Sequence, residues 1–203
     1  MPPTGSMSSQ VSLHPHAVTP CAYASTLTVR VDWITDDRLV LNYRIEGDVD
    51  ALYLPARQSS ARKDGLWRST CFEVFIRPPG ARGYVEFNVS PSTEWAIYRF
   101  DDYRRGMRAL APTQPPKIFC RRREDELLAD VEIHLAPLGL PAGGDLELGL
   151  AAVLQDRSAA LCCWALAHPS GKPDFHDPGG FLLTLSRPAS GDRLHNPSAQ
   201  PPA

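Results

Sequence analysis

Apolar side chains in this chain recur at every second residue, and the prolines fall between the apolar stretches rather than inside them. Leu27, Val29, Val31 and Trp33 interleave with Thr28, Arg30 and Asp32. After Thr35, Asp36 and Asp37, a second run alternates Leu39, Leu41, Tyr43 and Ile45 with Val40, Asn42 and Arg44. A period of two sends alternate side chains to opposite faces of a strand, so these two runs read as a hairpin. Further strands are expected at 51–54, 70–77, 84–90, 94–101, 117–123, 127–135, 146–155, 161–167 and 181–185. Proline lacks the amide that a sheet ladder needs, and its confinement to joints such as Arg-Pro-Pro-Gly and Asp-Pro-Gly-Gly suits strands linked by turns. About ten or eleven short strands separated by such joints predict an all-β fold, an antiparallel β-sandwich. The helix candidate is a single turn at 102–107, whose Arg104, Arg105 and Arg108 are assigned to a solvated face.

The chain has 203 residues, 43% of them hydrophobic, enough for one substantial core. Residues 1–24 and 186–203 are rich in proline, serine and polar groups, so they are read as flexible tails around one domain at 25–185. A net charge of -2 gives no cationic surface to displace phosphate counterions, which argues against a nucleic-acid partner. No apolar run approaches the roughly 20 residues of a membrane helix, and the first residues lack the pattern of a secretion signal. The five cysteines, Cys21, Cys71, Cys120, Cys162 and Cys163, show no CxxC spacing and read as reduced, buried thiols. A cytoplasmic setting without a membrane partner is the expectation.

The segment 66–100 carries the chemistry. A turn centred between Pro79 and Gly80 pairs Phe75 with Tyr84, Glu73 with Glu86 and Cys71 with Asn88, all on one face. Phe72, Val74, Ile76, Val85, Phe87 and Val89 fill the other face as core. Two carboxylates side by side need a counter-charge, a shared proton, a cation or full solvation. If the next turn, at 90–93, sets Asn88 opposite Trp95, then Arg99 lies beside Tyr84 and within reach of the acids. A shift by one residue presents Ala96 and Tyr98 instead. Aromatic rings for stacking beside carboxylates and an amide for hydrogen bonding suit a sugar, whose C–H faces are apolar and whose rim is hydroxylated. A purely structural ion network is the competing reading of Glu73, Glu86 and Arg99.

The runs LWRSTCFEVFI at 66–76, YVEFNVSP at 84–91 and EWAIYRF at 94–100, with APLGL at 136–140, Trp164, and KPDFHDPGGFLL at 172–183, resemble bacterial DOMON-like proteins related to family 9 carbohydrate-binding modules. The resemblance spans nearly all of 25–185 and implies a β-sandwich of about ten strands. It also implies non-catalytic binding of a carbohydrate or similar polar small molecule, with sugar held between tryptophans chosen from Trp67, Trp95 and Trp164. Glu73, Tyr84, Glu86, Asn88 and Arg99 complete the expected ligand-binding set. Relatives place an acid where this chain has Thr70, which argues against a metal-supported site.

The residues leave three other chemistries open. Heme, the cofactor of some relatives, needs axial ligands; Met107, His134, His168 and His176 are available, and no CxxCH exists for covalent attachment. A metal at His168, Asp174 and His176 matches no ligand spacing, and that loop reads as structural with Phe175 anchoring it. Glu73 and Glu86 have the residue types of a glycosidase pair, although neither has an evident partner to tune it. The expectation is therefore a binder, with no cofactor and no catalytic residue. The remaining alternative is an interaction module without a small ligand; a pocket with a tryptophan and two convergent acids would favour the ligand instead.

Overall fold

The computed structural model describes residues 8–112, 114–136 and 138–188. Among these the strands are β1 (Ser8–Pro15), β2 (Ala24–Thr35), β3 (Arg38–Gly47), β4 (Cys71–Arg77), β5 (Tyr84–Val89), β6 (Trp95–Phe100), β7 (Arg108–Ala109), β8 (Lys117–Arg122), β9 (Glu126–His134), β10 (Leu146–Gln155), β11 (Leu161–Ala165) and β12 (Leu183–Leu185). All their ladders are antiparallel, in the order β7-β6-β5-β4-β10-β11-β1-β2-β3-β9-β8, with β12 on β10. β1 joins the two halves: Ser8 to Leu13 pair with β2, whereas His14 and Pro15 pair with β11. A strand that serves both sheets turns a corner between them, so one continuous ladder curls into a sandwich.

Inside the sandwich, Val29, Val31, Leu41, Tyr43 and Ile45 of the first sheet join one buried cluster with Phe72, Val74, Val85, Phe87 and Ile97 of the second. The inward set is the one the alternation predicts. A second cluster, built on Cys71, Phe75, Tyr84, Ala96, Tyr98 and Phe100, covers the opposite face of β4, β5 and β6 under Leu66, Phe175 and Phe181. Every residue of β5 is consequently buried, as are the first six of β4. The polar face expected to be open is a roofed one.

Several expectations change. Residues 8–15, read as part of a tail, form β1, because backbone pairing on two neighbours holds a strand whose side chains bury little beyond Leu13. Arg187, also assigned to a tail, sits over the Trp33 ring and donates to the Pro141 carbonyl. Residues 1–7 and 189–203 lie outside the described residues. Segment 51–54 contributes only a bridge from Leu52 to Asp156. Cys21 and Cys162 form a disulfide, leaving Cys71, Cys120 and Cys163 as thiols, so the reduced-cysteine reading does not hold for that pair. The part of the cytoplasmic expectation that leaned on reduced cysteines loses that support. Among the described residues no helix is long and apolar enough to cross a membrane.

Candidate functional site

The β4–β5 hairpin keeps the expected faces but slides by two residues: Glu73 lies opposite Asn88 and Phe75 opposite Glu86. An even slip changes partners without turning any side chain over. Glu73 and Glu86 are therefore diagonal neighbours. The β5–β6 ladder differs by one residue, with Asn88 opposite Ala96, Glu86 opposite Tyr98 and Tyr84 opposite Phe100. An odd slip inverts a strand, so Tyr98 joins the acids while Trp95 and Arg99 turn the other way. Trp95 packs against the main core, and Arg99 donates to the Leu138 carbonyl at 2.8 Å. Trp164, 2% exposed, belongs to that same core. These three are removed from the expected ligand-binding set.

Of the remaining residues, Trp67, Glu73 and Glu86 border a pocket of about 410 Å³. Glu73 and Glu86 line it, with Trp67, Tyr98, Phe100 and Phe175 as aromatic surfaces and Arg104, Met107 and His176 from the covering segments. Trp67 stands on a short 3-10 turn, Leu66–Arg68, whose Leu66 is buried and whose preceding Gly65 has φ 76. That left-handed backbone suits glycine and sets Trp67 outward, 40% exposed, with its ring edge-on to Tyr98 at 6.4 Å. Tyr98 is held by its hydroxyl, which donates to Asp64 Oδ1. Asn88 does not reach the pocket; fully buried, its Nδ2 donates to Glu86 Oε1 at 2.5 Å and orients that carboxyl from behind. Tyr84 borders a neighbouring hollow that shares His176.

Burial dominates the electrostatics. Glu73 is 3% exposed and its Oε1 has no hydrogen-bond partner. Desolvation, reinforced by Glu86, holds its carboxyl well above the ordinary range, while Arg104 opposes that rise. Glu86 is pushed up to about 7 by burial, against the Asn88 hydrogen bond and Arg104. His176 is pushed down to about 4 by burial and Arg104, with Asp174 opposing. A neutral imidazole results: Nδ1 lies 2.7 Å from the Tyr84 hydroxyl and Nε2 3.9 Å from Glu86 Oε2. Arg104 itself is committed to Asp174, with Nη2 donating to Oδ1 at 2.7 Å. Its backbone adopts φ 51, uncommon for a residue with a side chain, and its amide donates to the Tyr84 hydroxyl at 3.3 Å.

Arg104 is exposed, as the solvated-face reading expects, and it also borders the pocket, for a local reason. The turn closed by Asp101, Asp102 and Arg105 folds back over the second sheet, and Asp174 on the opposite loop captures the guanidinium. Tyr98 was legible as the alternative register; Phe100, Phe175 and Cys163 carried no signal of pocket lining. Thr70 is buried, donates to the Tyr53 carbonyl at 2.6 Å and accepts from Gln155 N. Its role is to tie a loop to β10. Among the described residues no group of three metal-ligating side chains comes together.

No protein-family model matches the chain, and no curated protein does. Among solved structures, a Bacteroides uniformis protein provisionally described as carbohydrate-binding is similar over 88% of this chain and 85% of its own, with a TM-score of 0.64 at 15% identity. That likeness establishes the fold. A family 9 carbohydrate-binding module from Caldicellulosiruptor kristjanssonii is more distant: its glucose complex has a TM-score of 0.48 at 13% identity, over 84% of this chain and 81% of its own.

Proposed function

We propose that this protein binds a carbohydrate or similar polar small molecule in the 410 Å³ pocket and does not transform it. The observation that carries this reading is Trp67, outward-facing at the rim above two carboxyl side chains that point into the same space. An indole face supports the C–H side of a sugar ring, and the acids beneath pair with its hydroxyls. A pocket with a tryptophan and two convergent acids favours a small ligand over an interaction module. The description of the Bacteroides protein agrees with this reading. Glycan arrays and calorimetry with oligosaccharides test the proposal on the full chain. Trp67→Ala is expected to weaken binding by roughly tenfold or more, the worth of a stacked aromatic contact. Silence across the array, or an unchanged affinity in the variant, would end it.

One observation favours heme as a second reading: Met107 and His176 line the same pocket. Against it, the His176 ring is engaged by Tyr84 at Nδ1 and faces Glu86 at Nε2, while His134 and His168 are held elsewhere by Glu132 and the His14 carbonyl.

A further inference from the structure

The floor of the pocket is an acid pair without a cation of its own. Glu73 Oε1 is buried and unpartnered, and Glu86 receives one hydrogen bond from Asn88 and faces a neutral imidazole. Arg104, the guanidinium lining this pocket, is spent on Asp174. Two carboxylates in a water-poor site whose nearest guanidinium is tied to a third acid must share protons or receive a cation from outside. A neutral sugar leaves that imbalance in place, since a hydroxyl brings a hydrogen bond but no charge. Around the acids stand Trp67, Tyr98, Phe100 and Phe175, rings whose faces attract a cation.

We propose that the ligand is an amino sugar, whose ammonium group seats on Glu73 and Glu86 while its ring lies against Trp67. This rests on the carbohydrate reading and narrows it to a charged class. The ammonium supplies three donors for a site that offers acceptors, and charge-assisted hydrogen bonds are about twice as strong as neutral ones. It also replaces the protons that hold the empty pair together, so binding expels acid into solution. The aromatic wall then serves both the sugar ring and the positive charge.

Calorimetry on the full chain at pH 6.5 with glucosamine, glucose and N-acetylglucosamine separates the outcomes, because acetylation removes the charge and keeps the ring. Glucosamine is expected to bind roughly 10- to 100-fold tighter than glucose, with N-acetylglucosamine no better than glucose. Repeating the titration in buffers of different ionisation enthalpy should show roughly one proton released per glucosamine bound. Glu73→Gln, which keeps the shape and removes the charge, should bring the glucosamine-to-glucose ratio towards unity. Its thermal unfolding verifies that it folds. Equal affinities, or binding without proton release, overturn the amino-sugar assignment while leaving carbohydrate binding intact. No response to any of the three sugars alongside positive glycan arrays also defeats this assignment alone; silence in both defeats the underlying reading as well.

Discussion

Glu86→Gln should stabilise the protein by an amount that grows as pH rises, from nothing near pH 4.5 to ~3 kcal/mol at pH 7.5. Its carboxyl titrates near 4.5 when unfolded and at about 7 in the folded protein, where burial penalises the charge. Between those values the unfolded chain has released the proton and the folded one still holds it. The native state binds more protons, so raising the pH lowers its stability until Glu86 ionises. Below 4.5 both states are protonated and the substitution changes little. His176 acts with the opposite sign. Its imidazole is neutral in the fold down to about 4, so that contribution is present above 6.5 and is lost as pH falls. Glu73, Arg104 and His176 all face Glu86, which is why the difference between wild type and variant is the informative quantity. Urea unfolding of both proteins from pH 4.5 to 8 measures it. A pH-independent difference, or one that shrinks with pH, would show that Glu86 is not held in a desolvated floor.

Trp164→Ala is expected to cost 3–5 kcal/mol of stability, roughly the usual cost of removing a large aromatic from a packed core. The ring is 2% exposed within the main cluster, and its Nε1 has no hydrogen-bond partner, so the loss is one of packing. Trp67, 40% exposed, should cost well under half as much when truncated, about 1 kcal/mol. The two substitutions therefore divide the tryptophans that the sequence offered as equivalent platforms. Chemical denaturation supplies the stability and sugar titration the affinity. A Trp164→Ala protein of normal stability that failed to bind sugar would reverse the assignment.

The alternation between Thr70 and Phe100 correctly put Glu73, Tyr84, Glu86 and Asn88 on one face, because side-chain direction along a strand depends only on odd and even position. The placement survived a register wrong by two. Trp95 and Arg99 failed because the 90–94 turn was read one residue short. In the structure that turn carries Thr93 at φ 75 and a serine pair, with Ser92 Oγ donating to Glu94 Oε2 at 2.8 Å and lying 2.9 Å from Ser90 Oγ. The segment before β4 also claims the Trp95 backbone: Trp95 N donates to the Ala61 carbonyl and Lys63 N to that of Trp95. Such pairing over more than thirty residues leaves no periodic trace in the chain.

Strand content, the division into inner and outer faces and the gathering of two acids follow from the order of residues, since each is a consequence of local period and turn chemistry. The roof over the acids does not. Loops from 64–68, 101–107 and 168–181 cover the outer face of the second sheet around the pocket, and the burial they impose lifts Glu86 to about 7 and, together with Arg104, makes His176 neutral. Desolvation depends on everything that surrounds a group in space, so the character of the site was decided only when distant segments met.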